Sequence, residues 1–327
     1  MLKGINIMYT IGIDLGGTNI AVGLCDGDLK IIDKISVPTP VSDGAFAVAK
    51  AMADTSLKLV ERNGLKISDI KYVGMAVPGS IDPEKGVVEY SNNIPFIDFP
   101  IADKFRESFP VEKIYVDNDA NAAALGEALR GSAKGSDCSV MITLGTGVGS
   151  GIILGGKIFK GGINAAGAEL GHTVIKTGGR LCTCGRRGCL ETYASATGLK
   201  LSTEEKLKEL EALGIDSKMF EIKKKYGKLN GRVPFDAARL GDIHAQAVVD
   251  EYIYYLAEGI TNIINVFQPA TISIGGGISG EGEFLLNPLR AAVERDQYTR
   301  LRKTKTQIVT ATLGNDAGII GAAALGR

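Results

Sequence analysis

The most specific chemical signal in the sequence is a cluster of three thiols and one imidazole. Cys182, Cys184 and Cys189 fall within eight residues, and the imidazole of His172 lies ten residues upstream of the first thiol. Three thiolates and one imidazole complete a tetrahedral set of zinc ligands, so we expect a structural zinc rather than a catalytic one. A zinc finger for nucleic acid is the other interpretation, although the positive charge around the cluster is slight.

Two acidic residues flank this cluster. Glu169 lies three residues before His172, and Glu191 lies two residues after Cys189. A bound metal would fix both neighbouring segments and hold these acids in place, so we predict that both contact a ligand. Each acid taken alone is typical of a solvated surface residue.

Two further segments each combine apolar strands with a turn of glycine and threonine. Residues 9–25 and 140–154 both read as strand, turn, strand. Backbone N–H groups in such tight turns can hold a phosphate, and glycine allows the close approach. No GxxxxGK[ST] sequence occurs, and a strand follows each turn, so a P-loop is excluded. The candidate residues are Asp14, Gly16, Gly17, Thr18 and Asn19 in the first turn, and Gly145, Thr146 and Gly147 in the second.

Two aspartates lie where strands and helices are expected to begin or end. The carboxylate of Asp14 could hold Mg²⁺ against nucleotide phosphates, or it could hydrogen-bond its own turn. Asp119 opens an alanine-rich helix, where it is either a general base or an acid that stabilises the helix dipole. Asn118 beside it offers a donor and an acceptor, which suits sugar hydroxyls.

A run of three glycines follows a predicted strand late in the sequence. Gly275, Gly276 and Gly277 begin a GxGxxG match that extends to Gly280. A dinucleotide site is disfavoured, because no following strand carries a clear ribose-binding acid. The three glycines could instead let a flat adenine lie against the backbone, provided that the two glycine turns bind phosphate.

The elements that must position these residues alternate between strand and helix, which predicts an α/β architecture. Ser202 and Glu205 form a capping-box pattern that predicts the start of a charged helix. The similarity of segments 9–25 and 140–154 favours a duplicated unit.

The other predicted elements are helices over 43–63, 120–130, 242–267, 284–294 and 316–325, and strands over 71–77, 114–116 and 271–274.

Composition sets the broad class of the protein. The 327 residues suggest two domains, and 45% hydrophobic residues rule out disorder. Lysine plus arginine and aspartate plus glutamate number 37 each, so electrostatic attraction to nucleic acid or to a membrane is not indicated. We find no secretion signal or membrane span, and we therefore expect a cytoplasmic protein, whose translation starts at Met1 or at Met8.

The motifs together resemble the ROK (repressor, open reading frame, kinase) family, and the run LETYASATGL is most similar to its bacterial ATP-dependent glucokinases. The absence of an N-terminal DNA-binding segment before Asp14 favours the kinases over the repressors of the family. The motifs in chain order are DLGGT at 14–18, DNDAN at 117–121, LGTGVG at 144–149, GAELGH at 167–172, CTCGRRGCLE at 182–191 and IGGGIS at 274–279.

The resemblance implies a two-lobed actin-like or hexokinase fold, which is ribonuclease H-like and carries duplicated β-hairpin phosphate loops. Residues 1–117 and 313–327 would form a small α/β lobe. Residues 118–312 would form a large α/β lobe with the zinc knuckle at 182–189. The sugar would lie in the cleft between the lobes.

The resemblance also implies roles for individual residues. Asp119 would be the base on the sugar 6-hydroxyl. His172 would bind zinc through one nitrogen and face the sugar through the other, which requires a neutral imidazole. The segment from Asn93 to Ile97 departs from the common family pattern and lacks its tryptophan. The sugar-binding residues would be Gly79, Asn93, Asn118, Asp119, Glu169, His172 and Glu191.

We therefore expect a kinase that uses ATP and Mg²⁺ to phosphorylate glucose, and that forms a homodimer or a higher homo-oligomer, as is common in the family. Two alternatives stay open at this stage. One is an N-acetylmannosamine or N-acetylglucosamine kinase, because those members share the knuckle and its two acids. The other is a catalytically idle protein that senses a sugar.

Overall fold

Strands and helices alternate along the chain in the computed structural model, which describes residues 8–91, 94–162 and 167–327. The predicted α/β class is confirmed. The strands are β1 (Tyr9–Leu15), β2 (Asn19–Cys25), β3 (Ile31–Pro38), β4 (Ile70–Val77), β5 (Ser80–Asp82), β6 (Val87–Tyr90), β7 (Ile97–Phe99), β8 (Ile114–Asn118), β9 (Cys138–Leu144), β10 (Val148–Leu154), β11 (Lys157–Phe159), β12 (Thr271–Gly275) and β13 (Gln307–Thr310). The helices are α1 (Ala45–Arg62), α2 (Ile101–Arg106), α3 (Asp119–Arg130), α4 (Glu191–Ala194), α5 (Ala196–Leu213), α6 (Lys218–Tyr226), α7 (Arg232–Arg239), α8 (Ile243–Phe267), α9 (Glu283–Asp296) and α10 (Ala317–Ala324).

The first sheet has the strand order β3-β2-β1-β4-β8. β1 pairs antiparallel with β2 across the first glycine turn, and it pairs parallel with β4, which in turn pairs parallel with β8. Because β1, β4 and β8 are parallel, their carboxyl ends meet at one edge of the sheet. Ile11, Ile13 and Met75 from these strands pack with Met52 of α1 and Phe105 of α2 in one apolar core.

The second five-stranded sheet has the order β11-β10-β9-β12-β13, and β5, β6 and β7 form a small third sheet. β10 pairs antiparallel with β11, and β12 pairs parallel with β13. The second glycine turn joins β9 to β10, as the first joins β1 to β2. The two five-stranded sheets thus arrange their strands in the same serial order, while their origin by duplication stays a prediction.

The described chain divides into two compact units. Unit 1 comprises the described residues up to Met141, those from Gly151 to Ala168 and those from Thr312 to Arg327, and unit 2 comprises the rest. This division includes α3 in unit 1, because α10 packs directly on α3. The small lobe expected from the sequence ends at residue 117 instead, and that boundary stays a prediction.

The last helix completes unit 1. Every residue of α10 is buried. It approaches β1 and β4 so closely that a Cβ atom at Gly12 would lie 2.0 Å from the carbonyl oxygen of Ile319, and one at Gly74 would lie 1.8 Å from that of Ala322. Side chains at these two glycines would therefore displace the helix.

The capping-box prediction at Ser202 is wrong, because α5 begins six residues earlier at Ala196. Ser195 is the actual N-cap, and its side chain accepts a hydrogen bond from the amide of Gly198. Ser202 and Glu205 lie inside the helix and accept hydrogen bonds from Arg180 at 3.0 and 2.5 Å. Arg180 precedes the cysteine cluster, so these side chains fasten that segment to α5.

Candidate active site

Several predicted site residues of unit 1 lie at the carboxyl edge of the first sheet. Asp14 on β1 is paired with Ala76 on β4, and Val77 is paired with Asn118 at the end of β8. Asp119 follows Asn118 directly and begins α3. Ligands of open α/β sheets bind at this edge, so the fold gathers these residues where a substrate can reach them.

The two carboxylates of this edge both resist ionisation. Burial, together with the negative charge of Asp119, raises the pKa of Asp14 from its usual 3.8 to about 6. Burial also raises the pKa of Asp119. A cation or a proton would relieve the repulsion between the two charges, and a carboxylate with a raised pKa is a stronger base.

Asn118 has a structural role that the sequence did not indicate. Its Oδ1 accepts hydrogen bonds from the amides of Ala120 at 2.9 Å and Asn121 at 3.3 Å, which caps α3. Its Nδ2 donates to the carbonyl oxygen of Gly79 at 3.1 Å. Asn118 therefore ties the loop after β4 to the start of α3, and its contact with a sugar stays a prediction.

Gly79 occupies a backbone conformation that other residues rarely adopt. Its φ is +118°, and a Cβ atom there would lie 2.1 Å from the carbonyl oxygen of Tyr90. The position therefore requires glycine. Asn93, the other sugar-binding residue expected nearby, lies outside the described residues.

An ion pair beneath the start of α3 was missed by the sequence analysis. Asp117 is 4% exposed and forms an ion pair with Lys160, which follows β11. The same carboxylate accepts from the amide of Asn118 at 2.8 Å and from Nδ2 of Asn121 at 3.0 Å. Asp117 therefore holds the backbone of Asn118 and the side chain of Asn121, which lie on either side of Asp119. Only the DNDAN motif marked Asp117, and no local pattern pointed to its lysine partner 43 positions later.

The first glycine turn is held from one side. The amide of Gly16 donates to the carbonyl oxygen of Asn19 at 2.9 Å. The hydroxyl of Thr39 donates to the carbonyl oxygen of Gly16 at 2.7 Å, and the amide of Thr39 donates to that of Thr18 at 2.9 Å. Gly17, Thr18 and Asn19 are exposed, so the turn has a free outer face.

In unit 2, the four predicted metal ligands come together. The ligand atoms of His172, Cys182, Cys184 and Cys189 all lie within 4.8 Å of one another. The sulfurs of Cys184 and Cys189 are 3.7 Å apart, and the sulfur of Cys182 is 3.5 Å from Nδ1 of His172. A tetrahedral zinc with bonds of about 2.0–2.3 Å separates its ligand atoms by roughly 3.5–3.8 Å, so the cluster fits this ion.

The two acids beside the cluster occupy different surroundings. Glu169 is exposed, and its carbonyl oxygen accepts from the amide of His172 at 3.1 Å, which begins a short 3₁₀ turn. Glu191 begins α4 and its Oε2 accepts from the amide of Val148 at 3.0 Å. Its other oxygen lies 3.8 Å from the sulfur of Cys182. Glu191 therefore joins the cluster to the second glycine turn.

The second glycine turn is held much as the first is. The amide of Gly145 donates to the carbonyl oxygen of Gly147 at 3.1 Å. The amide of Ala196 donates to the carbonyl oxygen of Gly145 at 2.8 Å, and the hydroxyl of Thr197 donates to that of Thr146 at 2.7 Å. The first residues of α5 thus fix this turn, a role that the sequence did not reveal.

The glycine run after β12 lies against the same turn. A Cβ atom at Gly276 would lie 2.5 Å from the carbonyl oxygen of Leu144, the last residue of β9. Gly276 and Gly277 are exposed, whereas Gly275 is buried within the strand. The exposed glycines present bare backbone beside a candidate phosphate site, as a flat base would require.

Comparison with known proteins agrees with the motifs. The sequence profile of the ROK family matches residues 10–327. A glucokinase of Halalkalibacterium halodurans is 40% identical over 316 residues, which cover 96% of this chain and 93% of that protein. A glucokinase of Thermotoga maritima is 38% identical over 316 residues, which cover 96% of each chain.

A solved structure is similar over the same extent. It is a ROK family glucokinase from Streptomyces griseus in complex with glucose and AMPPNP, with a TM-score of 0.77 and 33% identity. The match covers 97% of this chain and 98% of that chain. The similarity of sequence and fold over nearly the whole length confirms the expected resemblance, and this chain belongs to the ROK family.

Proposed function

We propose that this protein is an ATP-dependent hexokinase that transfers the γ-phosphoryl group of ATP to the 6-hydroxyl of glucose. The observation that carries the proposal is the placement of Asp119 and the first glycine turn at one edge of the first sheet. Phosphoryl transfer requires a base on the acceptor hydroxyl close to groups that hold the phosphates. The glucokinases at 38–40% identity support glucose as the acceptor.

Asp119 is the proposed base. Its carboxylate would accept the proton of the 6-hydroxyl as the hydroxyl oxygen attacks the phosphorus. Burial raises the pKa of this group, which makes its ionised form a better proton acceptor. The hydrogen bond of its Oδ1 with the amide of Ala120, at 2.8 Å, keeps the carboxylate at the start of α3.

The proposed nucleotide-binding residues are the two glycine turns and the glycine run after β12. The amides of Gly17, Thr146 and Gly147 would donate to phosphate oxygens. Asp14 would hold Mg²⁺, whose positive charge would offset the burial and the repulsion by Asp119 that together raise the pKa of this group. Gly276 and Gly277 would lie against the adenine.

The proposed sugar-binding residues are Gly79, Asn93, Asn118, Glu169, His172 and Glu191. Carboxylates and amides suit sugar hydroxyls, because they accept or donate hydrogen bonds with fixed direction. Nδ1 of His172 lies beside the cysteine cluster and would bind zinc, so the other ring nitrogen would be available to the sugar. Zinc would act here as a structural ion that holds His172 and Glu191 in place.

We also propose that the enzyme acts in the cytoplasm as a homodimer or a higher homo-oligomer. No helix in the described part of the chain has both the length and the apolar character to cross a membrane.

The test is a coupled assay of ADP release on a panel of hexoses, with Asp119→Asn as the informative variant. Loss of the base should lower kcat by at least about a hundredfold while glucose still binds. Asp103→Asn is the matched control, because this aspartate is exposed on α2 and should leave kcat unchanged.

Three outcomes would contradict parts of the proposal. Near-normal turnover of Asp119→Asn would remove Asp119 from the role of base. A preference of at least a hundredfold in kcat/KM for an N-acetylated hexosamine would favour the N-acetylhexosamine kinases. Absence of turnover with every sugar, while glucose binds, would indicate a sensor rather than an enzyme.

A further inference from the structure

The two glycine turns share a feature that lies outside their own sequences. In each turn one carbonyl oxygen accepts from a threonine hydroxyl at 2.7 Å, that of Thr39 in unit 1 and that of Thr197 in unit 2. In each, a second carbonyl oxygen accepts from a backbone amide, at 2.9 Å in the first turn and at 2.8 Å in the second. Neither threonine belongs to a glycine motif.

These bonds determine which way the amides of the turns point. Across a trans peptide bond, the carbonyl oxygen of one residue and the N–H of the next point in opposite directions. The bond from Thr39 to the Gly16 carbonyl therefore turns the amide of Gly17 away from Thr39. In the same way, the bonds from Ala196 and Thr197 turn the amides of Thr146 and Gly147 away from α5.

Two of these outward amides belong to exposed residues, Gly17 and Thr146, and the third, which Thr197 orients, belongs to Gly147, a half-buried residue. Among the residues that the structure describes, none accepts a hydrogen bond from the amides of Gly17, Thr146 or Gly147. Glycine peptides rotate easily, so without the threonine hydroxyls the same turns could present carbonyl oxygens, which repel phosphate.

We propose that Thr39 and Thr197 are positioning residues for the phosphates of the nucleotide, each acting through the carbonyl oxygen that it holds. The inference rests on the proposed function, since it assumes that the glycine turns bind ATP. Neither threonine needs to touch the nucleotide. Their hydroxyls would keep the phosphate-binding amides pointing outward before ATP arrives.

The test compares four variants by nucleotide affinity. Thr39→Val and Thr197→Val remove the hydroxyl at nearly constant volume, whereas Thr39→Ser and Thr197→Ser keep it. Each valine variant should raise the Kd of AMPPNP, measured by calorimetry, on the order of fivefold, which corresponds to the loss of one neutral hydrogen bond. The serine variants should bind nearly as the unaltered protein does.

The matched control is Thr306→Val. The hydroxyl of Thr306 donates to the carbonyl oxygen of Pro269, also at 2.7 Å, but neither residue belongs to a glycine turn. This variant loses the same kind of bond and should leave the Kd of AMPPNP unchanged. Thermal unfolding of all five variants identifies any change in affinity that follows from a general loss of stability.

The outcomes separate this inference from the function on which it rests. If the unaltered protein binds AMPPNP and both valine variants bind it within twofold of that affinity, the inference is wrong. It is also wrong if glucose affinity falls as much as nucleotide affinity does. If the unaltered protein itself fails to bind AMPPNP, the proposed function is wrong instead.

Discussion

At the scale of single residues, the site is built from groups held in unfavourable states. Asp14 and Asp119 are acids whose pKa values burial raises, and Gly79 has a φ of +118°. Such features destabilise the folded protein, and they are retained where ligand binding offsets the destabilisation. The sequence identified Asp14 and Asp119 from motifs, and the family resemblance identified Gly79. It could not show that the side chain of Asn118 caps α3, because those hydrogen bonds depend on where the chain turns.

Replacing Asp14 should stabilise the protein without ligands at neutral pH. A raised pKa means that the folded protein binds this proton more tightly than the unfolded chain does, so the contribution of Asp14 to stability falls as pH rises from about 4 to about 6. Asp14→Asn removes this loss and should increase the free energy of unfolding by up to about 3 kcal/mol at pH 7.5. At pH 4 it should have little effect.

Urea unfolding at both pH values measures this difference. Asp103→Asn again serves as the control, because Asp103 is exposed and carries no comparable burial. An Asp14→Asn variant that is less stable than the unaltered protein at pH 7.5 would show that the carboxylate is not under electrostatic stress.

At the scale of elements, the segment after Cys189 connects two sites that the sequence presents separately. The carboxylate of Glu191 accepts a hydrogen bond from the amide of Val148. The hydroxyl of Thr197 donates a hydrogen bond to the carbonyl oxygen of Thr146 in the second glycine turn. The knuckle could be predicted, because its ligands are close in sequence. The attachment of α5 could not, since its bonds join residues about 50 positions apart and the Ser202 pattern gave a competing start for the helix.

Removal of the knuckle's metal should therefore weaken sugar binding. Cys184→Ser deletes one of four ligands, so we expect the zinc content to fall from one per chain to near zero. The KM for glucose should rise, because His172 and Glu191 lose their fixed positions. Elemental analysis and kinetics on the same preparation measure both effects.

Cys138→Ser is the control for this experiment, since Cys138 lies on β9 and outside the cluster. It should retain both zinc and activity. Full activity of metal-free Cys184→Ser protein would show that the knuckle does not support the sugar site.

At the scale of the whole molecule, two glycines allow the last helix to pack against the first sheet of unit 1. Gly12 and Gly74 let α10 lie directly on β1 and β4. A glycine in a strand is open to several interpretations, so the sequence predicted both strands and the last helix but not their close contact. The two contacts join residues about 250 and about 310 positions apart, and no local pattern encodes them.

Gly74→Ala should destabilise unit 1. Its Cβ atom would lie 1.8 Å from the carbonyl oxygen of Ala322, so α10 must shift away from the sheet, at a cost of about 3 kcal/mol. Gly27→Ala is the matched control, because a Cβ atom there meets nothing within 4 Å. Thermal unfolding should show a lower Tm for Gly74→Ala alone, and equal Tm values for the two variants would contradict the packing argument.

The late position of α10 in the chain also bears on synthesis. On the ribosome, the strands of the first sheet emerge early, but the helix that covers them follows only after the residues of unit 2. Until then the nascent chain exposes an apolar sheet surface, which promotes aggregation or binding by a chaperone. We therefore expect unit 1 to complete its fold only after residues 317–324 have emerged.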